Sequence, residues 1–233
     1  MRLVLWWVAG MALAGCAATP APKGEVPAAP ATAAELGQSD VNRIATLGMR
    51  ANLDSLLVLA DKLYRRNPAE WRKGGAPSAE AAVSRIFDEK HRWRFASLGQ
   101  RRDLEAMRVA LHPEFRGDRV QALVVGLASM VQSALGDREV FYMLDDLEPQ
   151  HLYNAARNVE IVAWKLASTR DGTGSLLLLS NEIGEVSNLS FEREFGRVIG
   201  LLDALADIVE DETERTVTRV VQNLTTAVFL PVY

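Results

Sequence analysis

Two spacings in this chain place metal-binding side chains one helical turn apart. Asp88-x-x-His91 and Glu148-x-x-His151 each pair a carboxylate with an imidazole on what would be one helix face. Di-iron helical bundles use two Glu-x-x-His motifs and two further carboxylates. Here one motif has Asp for Glu, and the other starts beside Pro149, where a helix begins. Glu160 is the one further carboxylate in a core-like context. The chain has three histidines, so one such spacing arises readily by chance. The simpler reading makes Asp145, Asp146 and Glu148 negative charges at a helix N-terminus, where the dipole favours them, with the histidines on the surface.

Other chemistry is thinly represented. There is no G-x-S-x-G elbow and no glycine loop to cradle a phosphate. Asp145 and Asp146 are adjacent, so on a helix they point about 100° apart and do not face one substrate. The richest polar cluster is Asn154, Arg157, Asn158 and Glu160 in NAARNVEIVAWK, with Trp164 two turns beyond Arg157. It serves either as a buried network, in which Arg and Glu need each other, or as an interaction surface. The sequence therefore predicts no catalytic residue and no cofactor.

The single cysteine stands in an unusual place. Arg2 is followed by LVLWWVAGMALAG and then Cys16. That apolar run is about a dozen residues long, well short of the roughly 20 needed to cross a bilayer. Charged start, apolar middle and small-residue end fit a secretory signal. Leu13-Ala14-Gly15-Cys16 resembles the lipobox of bacterial lipoproteins. The resemblance implies cleavage after residue 15 and acylation of Cys16. Ala17 and Ala18 follow where aspartate often marks inner-membrane retention, which implies the outer membrane. It also accounts for a lone cysteine in an exported chain. Several acyl chains on one residue anchor stably where one would be marginal.

Residues 17 to 38 are rich in Ala and Pro, with Pro20, Pro22, Pro27 and Pro30. Such a segment buries too little apolar surface to fold and reads as a tether. At about 3.1 Å per residue it reaches roughly 70 Å.

Beyond the tether the charge is uneven. Residues 62 to 108 carry twelve Lys or Arg against six Asp or Glu, and residues 137 to 215 carry seven against seventeen. A basic face with Trp71 and Trp93 suits an anionic partner. A periplasmic location excludes nucleic acid.

The remaining pattern is helical. Apolar periodicity and caps predict helices over about 41–67, 78–90, 101–111, 118–135, 148–168, 190–210 and 212–230. Residues 91–100 and 175–182 are open to strand, loop or helix. ADKLYRRNP resembles the close of a tetratricopeptide helix, but no repeat of about 34 residues follows. Ala122 with Gly126, and Gly196 with Gly200, offer small residues four apart for close helix packing. The expectation is an all-α bundle of about seven helices over residues 39–233. The expected role is a non-catalytic adaptor or accessory factor, anchored by acyl chains to the periplasmic face of the outer membrane and working with another envelope protein. A bundle holding a hydrophobic ligand or lipid between the 118–135 helix and the C-terminal helices is the second reading. A metal-dependent helical-bundle enzyme is the third.

Overall fold

The computed structural model describes residues 40–233 apart from 89–90, 139–140, 142–146, 183–184, 186, 214–215 and 221–222. The leader, Cys16, the tether, Asp145 and Asp146 lie outside the described residues. All described residues belong to one unit, Gln38–Tyr233.

The protein is all-α, with seven α-helices among the described residues and no strand beyond two isolated bridges. Helix α1, Asp40–Arg66, turns one apolar face inward through Ala45, Met49, Leu56, Leu59, Ala60 and Leu63. Arg65 and Arg66 occupy its last turn, where the helix dipole favours cations. Pro68 stops α1 and at once opens a short helix, α2 (Pro68–Lys73), since proline fits the first helical position. The sequence reading missed α2 and took Pro68 only as a stop. Asn67 sits between them. Its side chain donates to Leu63 O and Leu179 O and accepts from Leu179 N at 2.7 Å.

Helix α3, Ala79–Ile86, is capped by Ser78 Oγ, which accepts from Ala81 N. It ends four residues earlier than the pattern predicts. The ambiguous 91–100 stretch is a loop with one 3-10 turn, Ala96–Leu98, closed by Gly99 at φ 59°. Helix α4 is Asp103–Ala110. Helix α5, Arg119–Ala134, is capped by Asp118, and every residue of it except Gln132 is buried. Helices α6 (Pro149–Ser168) and α7 (Ser190–Thr213) complete the set.

The packing explains why α5 is apolar all round. Helices α1, α7, α6 and α5 close a four-membered ring, each touching the next, and α4, α2 and α3 cover the outer side of α5. A helix enclosed on every side has no polar face to show. Gly126 is where α4 crosses: a Cβ there would lie 2.5 Å from Met107 Cγ and 2.8 Å from Met107 N. Close packing therefore holds for Gly126. It does not hold for Gly196 and Gly200, which are exposed and have nothing within 4 Å of a built Cβ.

Residues 175–182 form an extended connection pinned by Asn67, with bridges Arg170↔Leu176 and Glu182↔Asn188. The predicted helix over 212–230 is a correction. Residues 216–220 and 223–233 are not helical. Eight of the thirteen residues from 216 to 228 are β-branched, which weakens helix formation. Asn223 bends the chain by accepting from Thr225 N through its own side chain. The 3-4 stripe of Val217, Val220, Val221, Leu224, Ala227 and Val228 is present as spacing in the sequence. It lost to a set of partners on α6 that satisfy an extended backbone instead.

Candidate functional site

Those partners are the polar cluster of α6. Gln150 Oε1 accepts from Thr218 N at 2.7 Å, and Tyr153 Oη accepts from Val220 N at 3.1 Å and donates to Val220 O. Asn154 donates to Pro231 O at 2.7 Å. Asn158, fully buried, donates to Leu230 O and accepts from Leu230 N, each at 2.7 Å. Arg157 donates to Asp203 Oδ2 on α7 at 2.7 Å, pairs with Glu160 at 3.0 Å and lies over the Tyr153 ring. Burial raises the Glu160 carboxyl above its ordinary range, and Arg157 offsets part of this. Trp164 is half-buried and takes no side-chain part. These contacts fall into two sets: Asn154 and Asn158 hold the 216–233 segment, and Arg157 with Glu160 meets Asp203 of α7. Their observable work is to hold α7 and the 216–233 segment.

We expect Asn158→Ala to cost about 1–2 kcal/mol, because it removes the side chain that pairs the half-buried Leu230 N–H and C=O. Amide hydrogen exchange at Leu230 checks it. Unchanged protection there would show that the clamp carries no weight.

The paired metal candidates do not come together as a site. Asp88 and His91 lie past the end of α3, not on a helix face. Both His91 ring nitrogens are engaged: Nε2 donates to Arg85 O at 2.7 Å and Nδ1 accepts from Trp93 N at 3.2 Å. Glu148 caps α6 by accepting from Gln150 N, and His151 is in the first turn of that helix. Among the described residues no group of three or more His, Cys, Asp or Glu is placed to hold a metal. Likewise, no described helix is long and apolar enough to cross a membrane.

The basic run resolves into two populations. Several of its cations are paired: Lys62 with Glu194, Arg65 with Asp61 and Glu80, Arg66 with Glu182, Lys73 with Glu70. Arg102 is gripped by Asp103, Asp137 and Ser133. Arg92 makes no hydrogen bond or ion pair among the described residues, and Arg94 only donates to Gln100 O.

These two arginines line a cleft of about 860 Å³. Arg50, Met49 and Leu53 of α1 form one wall; Phe87, Asp88 and the 91–94 loop form another; Arg102, Gln132 and Asp137 close the end. Trp93 stands edge-on to Phe87, 5.6 Å between centroids, and its indole N–H donates to Gln132 Oε1. His91 packs on Phe95 at 4.1 Å. The loop is therefore built, not slack. It is also strained: Arg92 and Trp93 have φ of 47° and 62°, left-handed values that cost a side-chain-bearing residue about 1 kcal/mol or more each. Among the described residues the lining includes four arginines and two aspartates, with Arg102 paired to Asp137. The cleft sets arginines beside the rings of Phe87 and Trp93, in a chain of net charge −4. Its volume is that of a small-ligand site.

No protein family, curated protein or solved structure matches the chain.

A second polar centre is built around the buried Tyr64, Asp118 and Glu70. Tyr64 Oη donates to Asp118 Oδ2 at 2.7 Å, and Asp118 Oδ1 accepts from Gln121 N. Glu70 accepts from Arg119 N at 2.8 Å, and Arg85 donates to Gly74 O. Burial, with Glu70 adding like charge, pushes the Asp118 carboxyl up to about 6; the bonds from Gln121 and Tyr64 and the nearby Arg85 hold it from rising further. The Tyr64 phenol is raised by the same burial and by Asp118. This centre ties α1, α2, α3 and α5 together.

Sequence reasoning named Trp93 and the basic run but not Arg50, Gln132 or the cleft. The local signal was HRWRF, an aromatic between two arginines. Which arginines stay unpaired depends on carboxylates far away in sequence.

Proposed function

We propose that this protein is a lipid-anchored, non-catalytic helical adaptor at the periplasmic face of the outer membrane, and that it engages an anionic envelope component through the arginine cleft. The observation that carries the reading is the cleft itself: unpaired Arg92 and Arg94 on a strained loop, held by His91 and Trp93. The leader and lipobox support the location, and the Ala/Pro tether gives the body reach. A hydrophobic ligand between α5 and the C-terminal elements fits poorly, because α5 is sealed along its length.

In-cell crosslinking and affinity purification, in wild type and in an Arg92→Glu, Arg94→Glu variant, test the cleft. An anionic envelope component enriched with wild type and lost with the variant supports the reading. The same captures from both proteins would sink it. The anchor has its own test. Cys16→Ser is expected to leave the chain unacylated and remove it from the outer-membrane fraction. Unchanged fractionation would overturn the anchor.

A further inference from the structure

We infer that the anionic component is the phospholipid leaflet itself, met by an arginine face over residues 92–108. This rests on the lipid-anchored reading above and names its partner. Four arginines form the face: Arg92 and Arg94 of the loop, Arg101 beyond the 3-10 turn and Arg108 of α4. All four are exposed, and none pairs with a carboxylate among the described residues. Arg94 and Arg101 donate only to backbone carbonyls, of Gln100 and Leu98, which leaves their charge unmatched. Arg94 thereby reaches the residue next to Arg101. Arg101 and Arg108 line one shallow recess of about 410 Å³ with Val109 and Phe115. Arg50 and Arg102 have partners within the protein and take no part.

The acids nearby do not cancel this charge. Residues 91 to 116 hold six arginines against Asp103, Glu105 and Glu114, and Asp103 is spent on Arg102. Glu105 and Glu114 are exposed and form no ion pair with the four among the described residues. The chain as a whole carries −4, so an anionic surface repels it in every orientation but the one that presents this face.

The layout suits a surface and not a single anion. Arg92 and Arg94 open on one cavity, Arg101 and Arg108 on another. A discrete anion meets one or two of them. A leaflet offers many phosphates side by side and meets all four, each cation near it adding roughly fivefold to binding. A protein partner would be held chiefly by aromatic anchors entering its pockets. Here Trp93 is half-buried, edge-on to Phe87 and bonded through its indole N–H to Gln132, so it belongs to the protein's own wall. The loop borders α1 at Met49 and Leu53, about 14–20 Å along the helix from Asp40, the end that the tether joins. Anchoring keeps the face at high effective concentration near the leaflet, so weak contacts suffice.

The experiment is photocrosslinking of the full acylated chain in vesicles that carry a trace of lipid with a photoreactive headgroup. One set of vesicles is phosphatidylcholine; the other adds phosphatidylglycerol. Labelled peptides are mapped by mass spectrometry. Labelling within residues 92–108 is expected to be about tenfold or more higher on the anionic vesicles and to fall away at high salt. Arg92→Gln with Arg94→Gln, and separately Arg101→Gln with Arg108→Gln, should each lower it by about tenfold or more. Lysine at all four positions (Arg92→Lys, Arg94→Lys, Arg101→Lys, Arg108→Lys) should preserve it, because a leaflet reads charge and not the guanidinium fork. The four side chains are exposed, so the fold should survive, and an unchanged melting temperature verifies that.

Equal labelling on neutral and anionic vesicles overturns the inference. So does labelling centred outside 92–108, or its loss in the lysine variant. If lipid labelling is absent but a protein captured in cells is still lost in Arg92→Glu, Arg94→Glu, the adaptor reading stands and the leaflet falls as its partner. If both fail, the arginines are not a site of engagement.

Discussion

Gly126→Ala is expected to destabilise the protein by about 2–3 kcal/mol, although alanine is the better helix former. In an open helix the change would gain up to about 1 kcal/mol. At Gly126 the new methyl would meet Met107 Cγ at 2.5 Å, Met107 N at 2.8 Å and Asp103 O at 3.0 Å. Two of those three atoms are backbone, so a rotamer change cannot relieve the clash. Helix α4 would have to lift from α5, opening the buried Leu104, Ala106 and Met107. Gly196→Ala is the matched control. It is helical, exposed and free of neighbours within 4 Å, so it should gain about 0.5–1 kcal/mol. Urea denaturation of the two variants settles the matter. Equal shifts of the same sign would show that the close approach of α4 and α5 has no energetic weight.

Asp118→Asn is expected to stabilise the protein at pH 7.5 by about 1–3 kcal/mol, with the gain vanishing near pH 4. The folded carboxyl titrates at about 6 against an ordinary 3.8. Between those values the folded state holds a proton that the unfolded state has released. Stability from this group therefore rises as pH falls through 6, and above 6 the fold carries a buried ionised carboxylate. The full difference is about 3 kcal/mol at roughly 1.4 kcal/mol per unit. Asparagine keeps an oxygen for Gln121 N and caps α5 as well as aspartate does. It removes the charge that faces Tyr64, Glu70 and Arg85. Loss of the strong bond from Tyr64 and of attraction to Arg85 keeps the gain below the full figure. Other carboxylates titrate in the same range, so the difference between wild type and variant, measured at several pH values, isolates Asp118. A difference constant from pH 4 to 8 would refute the raised carboxyl.

The bundle was legible because its helices carry local marks. Ser78 and Asp118 are caps that work as the sequence implies, and Pro149 opens α6. The final segment was not legible, because its conformation is decided by Gln150, Tyr153, Asn154 and Asn158, about 70 positions upstream. A 3-4 stripe reports spacing, and it does not report who satisfies the backbone. The same holds for charge. Lys62 and Glu194 are 132 positions apart, and only the fold says that this cation is spent. The cleft could not be read from the run 62–108 alone, since its meaning lies in the subtraction of such pairs. Local geometry hid the rest. Gly126 and Gly196 look alike in sequence, and only one faces another helix.

The ring of helices also sets an order of events. Helix α1 closes onto α7, with Lys62 reaching Ser190 O and Glu194. A loop of more than a hundred residues must close before α1 meets α7, and such long-range closure is slow. A growing chain that has not yet produced residues 190–213 has α1 without the cover that α7 supplies. In the lipoprotein reading this delay is useful. A secretion channel passes unfolded chain, and a topology that joins early to late residues keeps the polypeptide threadable until it has crossed.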